Sequence, residues 1–462
     1  MNRKFASGGW ITGWNPENEE FWRSTGKPIA RRNLALSVLA EHIGFSVWSM
    51  WSVLVLFMSP EIGLDFAPEE KFLLVTVPTL VGAILRLPYG WAVTRFGGRN
   101  WTMTSSALLL VPTVLAAYFV RQPGTPLWVF LLIGATAGVG GGNFSSSMTN
   151  IAAFFPRRHH GWVLGLNAGI GNLGVAVVQL LGLLVIATVG DSHPSYIAVT
   201  YLPLIATVAV LAAFRMDNVD AVRVRSSALP EAARNRHTWV VSLLYVGTFG
   251  SFIGYGFAFG LVLQNQFGST PLQAASLTFL GPLLGSLARP LGGRLADLRG
   301  GARITSWTFG GLAAGTAVLL IASGVHSLPL FVTGFTVMFV LSGIGNGSTY
   351  KMIPTIFAEQ AEREVTAGGD AGAAFRRAQR VSGAVIGIAG AVGALGGVGI
   401  NLAFRISYAG ETGSGIPAFC AFLAFYALCV LLISRCYSRR GTHIDPRTEP
   451  HRTERVVTTD VR

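Results

Sequence analysis

Residues 82–99 read GAILRLPYGWAVTRFGGR, and residues 285–303 read GSLARPLGGRLADLRGGAR. In both stretches a glycine lies four residues before an arginine, which is Arg86 in the first and Arg289 in the second. Another glycine lies four residues after each arginine, and a Gly-Gly pair begins eleven residues after it. Identical offsets at two distant places indicate an internal repeat. We therefore predict two halves of one design, each with an arginine inside an apolar helix.

The composition indicates that these helices lie in a membrane. Of the 462 residues, 51% are hydrophobic and only 12% are charged, whereas soluble domains have about 25% charged residues. Apolar windows of about 20 residues, enough to cross a hydrocarbon core of ~30 Å, recur along the chain. We predict an all-α membrane protein with twelve transmembrane helices, at residues 34–58, 71–94, 101–120, 126–155, 162–188, 195–214, 239–264, 271–291, 304–324, 329–357, 381–405 and 416–434.

The distribution of Lys and Arg predicts the orientation, because cytoplasmic loops carry the basic excess. With both termini in the cytoplasm, 29 of the 35 Lys and Arg residues lie in cytoplasmic segments. Three lie in external segments and three within predicted helices. The net charge of +13 is thus a signal of topology, and we predict a multi-pass protein of the cell membrane that does not bind nucleic acid.

The longest internal polar segment divides the twelve predicted helices into six and six. We predict a cytoplasmic N-terminal tail, a first six-helix bundle, a central cytoplasmic loop, a second bundle related to the first by pseudo-symmetry, and a cytoplasmic C-terminal tail. Their boundaries are 1–33, 34–214, 215–238, 239–434 and 435–462. Residues 358–380, between the tenth and eleventh helices, are expected to form a short surface helix.

Arg86 and Arg289 are predicted to lie about 16 Å from the cytoplasmic turns, at the depth of the membrane midplane. Intramembrane charges are costly and by default mark substrate or ion pathways. The predicted helices contain a single acidic residue, Glu41, near the cytoplasmic end of the first helix. Two buried cations without matching anions should attract an anion. Because the guanidinium group is a planar fork, it suits a planar oxyanion better than an ammonium group does.

Several further stretches sharpen this interpretation. They are GGGNFSSSMTNIAAFFP, LRLPYG, FGGRNW, GLNAGIGNLGV, LLYVGTFGSFIGYGFAF and GNGSTYKMIPTIF. Together with the two six-helix repeats, they resemble the nitrate/nitrite porter family of the major facilitator superfamily. The resemblance covers most of the chain, and it implies the major facilitator fold, with nitrate and nitrite as substrates.

The resemblance also implies a set of substrate-binding residues near the midplane, between the two halves. Two arginines bind the anion, an asparagine of the fifth helix faces it, and aromatic rings enclose it. At the matching positions of this sequence these are Arg86, Arg289, Asn172, Phe144, Tyr245, Phe249 and, as a further member of the enclosure, Phe45.

The mode of coupling stays open between two alternatives. Proton-coupled nitrate uptake needs a titratable site, for which Glu41 and His42 in the first helix are candidates. Nitrate/nitrite exchange needs no such site, because the paired arginines repel each other unless an anion is bound. The sequence favours the first alternative slightly. Lys351, toward the inner end of the tenth helix, is an accessory cation if it faces the substrate, and otherwise pairs or extends toward the interface.

Other functional classes fit less well. An enzyme would need catalytic groups at membrane depth, but His159, His160 and the scattered acids lie in predicted loops and form no recognisable set. Cys420, Cys429 and Cys436 have no metal-ligand spacing, and no cofactor is expected. A facilitator for another small organic anion is the stronger rival, although it would need a wider polar cavity. We predict a protein that acts as a monomer in the lipid bilayer.

Overall fold

The computed structural model describes residues 5, 6, 10–222, 228–411 and 413–438 and is almost entirely helical. The first half of the chain contains six long helices. They are α1 (Glu19–Phe57), α2 (Pro68–Phe96), α3 (Gly98–Phe119), α4 (Leu127–Phe154), α5 (Arg157–Val189) and α6 (Ser195–Arg215). Single residues such as Met50 in α1 and Gly138 in α4 interrupt the regular α-helical pattern.

The second half repeats the pattern. Its helices are α7 (Arg236–Phe267), α8 (Pro271–Thr278 and Leu280–Arg299), α9 (Gly301–Gly324), α10 (Leu328–Thr366), α11 (Ala371–Ala409) and α12 (Ile416–Tyr437). Within the described residues, eleven helices are long and apolar enough to cross a membrane. The exception is α8, which Phe279 divides and whose second part has four charged residues. The all-helical architecture predicted from the sequence is confirmed.

The segment between the two halves is anchored to one end of the molecule. A small sheet joins β1 (Phe5–Ala6), β2 (Trp10–Ile11) and β3 (Asn218–Val219), with β2 antiparallel to β1 and parallel to β3. The side chain of Asn218 also accepts a hydrogen bond from the backbone of Arg99, at the start of α3. We call this end the basic face, since the basic loops predicted to be cytoplasmic lie here. Part of the predicted central loop, 223–227, and most of the predicted C-terminal tail, from 439 onward, lie outside the described residues.

The expected surface helix over 358–380 is not a separate element. Instead, α10 continues to Thr366 and α11 begins at Ala371, so both helices extend beyond their apolar windows. The extension of α11 is held to the short helix Leu229–Arg234, where Glu231 accepts hydrogen bonds from Arg377 and Arg380. The hydrogen bond from Arg377 lowers the pKa of the Glu231 carboxyl group.

Glycine allows the helices of each half to pack backbone against backbone. On α10, Gly343 contacts the carbonyl group of Gly285 on α8, and Gly347 contacts the backbone of α8 one turn further along. A side chain on either α10 glycine would collide with these backbone atoms. Small residues at a spacing of four are the usual means of such close approach in membranes. This contact positions α8 and therefore Arg289.

We predict that Gly343→Ala lowers the free energy of unfolding by about 1–3 kcal/mol, because the new methyl group must displace the backbone of α8. The matched control is Gly310→Ala on α9, where no other atom lies within 4 Å of the added carbon. The control should leave stability unchanged or raise it by up to about 1 kcal/mol, because glycine is unfavourable inside a helix. Thermal unfolding in detergent measures both. Equal losses in the two variants would contradict the packing argument.

Candidate functional site

A cavity of about 1970 Å³ lies between the first six and the last six helices. Helices α2, α4 and α5 line it on one side, and α8, α10 and α11 line it on the other. It reaches the basic face, where Gly13, Arg157 and Arg377 lie at its mouth. In the described part of the chain, no residue from the opposite ends of the helices lines it. The cavity is therefore open toward one face of the molecule only.

Arg86 lies in the wall of this cavity and is only 1% exposed. Its Nη1 donates a hydrogen bond of 2.7 Å to the carbonyl oxygen of Gly390 on α11. Its guanidinium carbon lies 4.7 Å from the centroid of the Phe144 ring and 4.8 Å from that of Phe249. Its Nε and Nη2 have no hydrogen-bond partner among the described residues. The two rings thus hold the cation in place while two of its donor atoms remain free for a ligand.

Arg289 lies in the same cavity wall, on the other half of the molecule, and is 6% exposed. Its Nη2 donates a hydrogen bond of 3.1 Å to the hydroxyl group of Tyr245 on α7. Its guanidinium carbon lies 5.4 Å from the centroid of the Tyr350 ring on α10. Its Nη1 has no partner within the described ranges. Each half therefore contributes one buried guanidinium group with an unused donor.

Neither arginine forms an ion pair in the part of the chain that the structure describes, although the buried Glu41 carboxyl group lies near enough to interact with both electrostatically. The ion pairs formed there, such as Arg32 with Asp217 and Lys351 with Asp297, involve other residues. Removing a charge from water costs several kcal/mol unless a partner compensates. Neutral groups, which are a carbonyl oxygen, a phenol and aromatic rings, supply part of this compensation. An anion bound between the arginines would supply the rest.

The predicted aromatic residues form a stack around Arg86. Phe144 lines the cavity, and its ring centroid lies 6.3 Å from that of Phe45 and 6.3 Å from that of Phe249. Tyr245 continues the stack, with its ring 5.1 Å from that of Phe249. Phe45, Tyr245 and Phe249 are fully buried behind the cavity wall. The rings of Phe144 and Phe249 therefore contact the guanidinium group of Arg86, and the enclosure of the anion by the aromatic residues stays a prediction.

Asn172 of α5 is fully buried next to Leu173, which lines the cavity. Neither its amide nitrogen nor its amide oxygen has a hydrogen-bond partner among the described residues. A buried amide without partners costs free energy. The side chain is thus close behind the wall, with hydrogen-bonding capacity that the protein leaves unused.

Glu41 and His42 are adjacent in α1 but point in different directions. Glu41 is completely buried, and its carboxylate accepts hydrogen bonds from Ser147 of α4 and Asn167 of α5. It lies behind the cavity wall. His42 lies on the outside of the bundle in a groove between α1 and α5, where its Nδ1 is 2.9 Å from the carbonyl oxygen of Ile170. The two residues therefore do not form one titratable site.

Lys351 lines the cavity nearer the basic face than the two arginines do. Its ammonium group pairs with Asp297 of α8 at 2.9 Å, and both side chains are largely exposed. The pair connects α10 to α8. Its position fits pairing near the interface better than a direct contact with the substrate.

The sequence interpretation missed Tyr350 and Gly390. Tyr350 lines the cavity beside Arg289, and Gly390 supplies the carbonyl group that holds Arg86. A signal for Tyr350 was present. The separation of 203 residues that relates Arg86 to Arg289 also relates Asn143 in GGGNFSSSM to Asn346 in GNGSTYKM. An aromatic residue in this otherwise small and polar part of α10 marks a position that faces the centre.

The end of the molecule opposite the basic face is closed by contacts between the two halves. Gln179 of α5 donates a hydrogen bond of 2.8 Å to the carbonyl oxygen of Gly256 on α7. Gln264 of α7 donates one of 3.0 Å to the carbonyl oxygen of Leu56 on α1. The rings of Phe72 on α2 and Tyr408 on α11 stack with centroids 5.2 Å apart. All three of these contacts are between neutral groups.

The chemistry of the site suits anion binding. The unpaired nitrogen atoms of Arg86 and Arg289 are hydrogen-bond donors, and the described residues contain no group of three or more His, Cys, Asp or Glu that could hold a metal ion. Two planar forks, one on each side of the cavity, can each donate to oxygen atoms of one small anion.

Comparison with known proteins identifies the family to which this architecture corresponds. The sequence model of the Major Facilitator Superfamily matches residues 42–400. The nitrate/nitrite transporter NarU of Salmonella typhimurium is 39% identical over 449 residues, which cover 93% of this chain and 96% of that protein. A Thermus thermophilus protein named "Probable nitrate/nitrite antiporter NarK2" is 32% identical, with 95% of this chain and 98% of that protein covered.

The fold also matches solved structures. The xylose transporter XylE from E. coli, in a partially occluded inward-open conformation, superposes with a TM-score of 0.66. The match covers 89% of this chain and 98% of the xylose transporter, at 13% sequence identity. At this identity the match supports the fold alone.

Proposed function

The chain belongs to the major facilitator superfamily and, within it, to the nitrate/nitrite transporter family, and we propose that it carries nitrate and nitrite across the cell membrane. The proposed mechanism is alternating access, with no enzymatic step. The first bundle, 34–214, moves against the second, 239–434, around a site shared between them.

One observation carries this proposal. Two buried guanidinium groups, one from each half, line the same cavity, lack an acidic partner among the described residues and retain unused donor atoms. An anion between them would satisfy these donors and offset the repulsion between the charges. Because it would contact both halves, it would also draw them together, which couples binding to closure of the cavity.

The surroundings of the arginines favour a small planar anion over a larger organic one. The wall near Arg86 is built from the rings of Phe144 and Phe249 and the backbone of Gly390. It offers few polar side chains for the hydroxyl or second carboxyl groups of a sugar acid or dicarboxylate. Nitrate and nitrite are flat and weakly hydrated, so little water must be replaced. Asn172 is proposed to add its unused amide when the cavity narrows around the substrate.

The structure corresponds to one step of the proposed cycle. The cavity opens on the basic face, which the distribution of Lys and Arg assigns to the cytoplasm, together with both termini. The opposite end is closed by contacts between α1 and α7, α5 and α7, and α2 and α11. We interpret this state as inward-facing. Breaking these contacts and closing the mouth of the cavity would give the outward-facing state.

We propose nitrate/nitrite exchange as the coupling mode. Among the described residues, the acidic and histidine side chains that line the cavity are Asp220 and His160. Both lie near the mouth of the cavity. The empty site therefore contains two positive charges that no carboxylate pairs directly, and the buried Glu41 behind the wall acts on them through space. Bringing the halves together around this empty site is unfavourable, whereas either anion permits it. A relative whose name includes nitrate/nitrite antiport supports this choice.

Proton-coupled nitrate uptake is the second candidate, and Glu41 supports it. Its carboxylate is fully buried, is held by neutral donors, and has one oxygen without a partner among the described residues. Ser147, which donates to it, lies on α4 one turn from Phe144 in the cavity wall. A proton on Glu41 could thus be linked to the substrate site through α4.

We predict that Arg86→Lys and Arg289→Lys each reduce nitrate uptake into proteoliposomes at least 100-fold, although both keep the positive charge. Lysine cannot donate a parallel pair of hydrogen bonds, and its shorter donor group leaves the ring stack. The control is Arg303→Lys at the exposed start of α9, beside Trp307 and outside the cavity, which should transport normally. Near-normal uptake by either cavity variant would contradict the role of the guanidinium forks.

The coupling mode is tested in liposomes with nitrite inside and no pH gradient, and separately with a pH gradient and no internal anion. Exchange predicts nitrate entry only in the first condition, and Glu41→Gln should then retain most of the activity. Entry driven by the pH gradient alone would replace exchange with symport. In that case Glu41→Gln should abolish the response to the gradient, while Gln122→Leu, a substitution in an exposed external loop, should not.

A further inference from the structure

Tyr350 is a cavity residue whose hydroxyl group the protein itself does not use. Its ring packs 4.6 Å from that of Tyr245 and lies beneath the guanidinium group of Arg289. Its hydroxyl oxygen is buried and makes no hydrogen bond of normal geometry among the described residues, although it lies near enough to the Tyr245 side chain to interact with it. Other buried tyrosines are satisfied: the Tyr255 and Tyr426 hydroxyls pair with each other at 2.6 Å. A buried hydroxyl without a partner destabilises a fold, so this group indicates a ligand.

The hydroxyl points toward the space beside Arg86. An atom at the position of a Cβ on Gly390 would lie 3.2 Å from the Tyr350 hydroxyl oxygen, 3.5 Å from the Phe144 ring and 3.8 Å from Nη1 of Arg86. These three groups therefore border the same small volume, which stays open because residue 390 has no side chain. Tyr350 contacts Arg289 through its ring and approaches Arg86 through its hydroxyl group. It is the residue that bridges the two arginines on the side of α10.

The two proposed substrates differ in the number of oxygen atoms that can accept hydrogen bonds. Nitrate is a flat ion with three equivalent oxygens, whereas nitrite is bent and has two. One guanidinium fork on each side suffices for the two oxygens of nitrite. Nitrate held in the same way has a third oxygen that needs a donor. A binding site that pairs a buried polar group with one ligand strongly disfavours a similar ligand that leaves this group unpaired.

We infer that the Tyr350 hydroxyl group donates a hydrogen bond to the third oxygen of nitrate and sets the preference of the site for nitrate over nitrite. This inference rests on the proposed function. With nitrate bound, the arginines and the hydroxyl surround the anion in its own plane, and the ring of Phe144 limits the volume. With nitrite bound, the hydroxyl stays unpaired, as in the empty site.

The test is Tyr350→Phe, which removes only the hydroxyl oxygen and keeps the ring beneath Arg289. Binding of nitrate and of nitrite to the purified protein is measured by calorimetry, each against the wild type. Loss of a hydrogen bond to a charged ligand should weaken nitrate binding about 10-fold or more. Nitrite binding should change less than about 2-fold. The ratio of the two dissociation constants is the readout that a structural role would not alter.

The matched control is Tyr255→Phe, which removes a buried hydroxyl of α7 that is already paired with Tyr426. It should lower thermal stability without changing the ratio. In contrast, Tyr350→Phe should melt at the same temperature as the wild type or higher when no anion is present, because the removed group had no partner.

Three results would overturn the inference. Equal weakening of nitrate and nitrite binding would indicate a role in the shape of the site. Unchanged nitrate binding would show that the hydroxyl does not contact the anion. A lower melting temperature of Tyr350→Phe without anions would show that the hydroxyl has a structural partner. If the wild type binds neither anion, the proposed function fails as well, and this outcome is distinct from the other three.

Discussion

Two positive charges held out of water, without negative charges to match them, are the constraint on which the rest of this structure depends. The protein compensates Arg86 and Arg289 only in part, through a carbonyl oxygen, a phenol and aromatic rings, and leaves three guanidinium nitrogens unpaired among the described residues. These unpaired donor atoms therefore favour the binding of an anion. Because the charges come from different halves, we propose that an anion that pairs them also draws the halves together.

The glycines make this arrangement possible. Where α8 and α10 touch through Gly285 and Gly343, the two backbones approach too closely for a side chain on Gly343. Gly390 offers its carbonyl group to Arg86, and its missing side chain leaves a volume open between Tyr350 and Phe144. The large rings then fill the remaining space. Small and bulky residues thus alternate where the helices pack tightly next to the buried arginines.

The sequence predicted those features that cost free energy inside a membrane. An arginine inside an apolar helix is energetically costly, and the repeated spacing around Arg86 and Arg289 predicted both the two halves and the candidate site. Partners brought together by packing could not be predicted in this way. The contact of Lys351 with Asp297 depends on the register of α10 against α8, and which of Glu41 and His42 faces the interior depends on the rotation of α1. The extents of α10 and α11 were also missed, because helices can continue into water beyond their apolar windows.

The central claim is that one anion bridges the two guanidinium groups, and an experimental density map of the protein in nitrate tests it most directly. The account predicts a flat density within hydrogen-bonding distance of both Arg86 and Arg289, with the two halves closer together than in the anion-free protein. A map in which nitrate lies away from either arginine, or in which Glu41 has moved to pair with one of them, would contradict it.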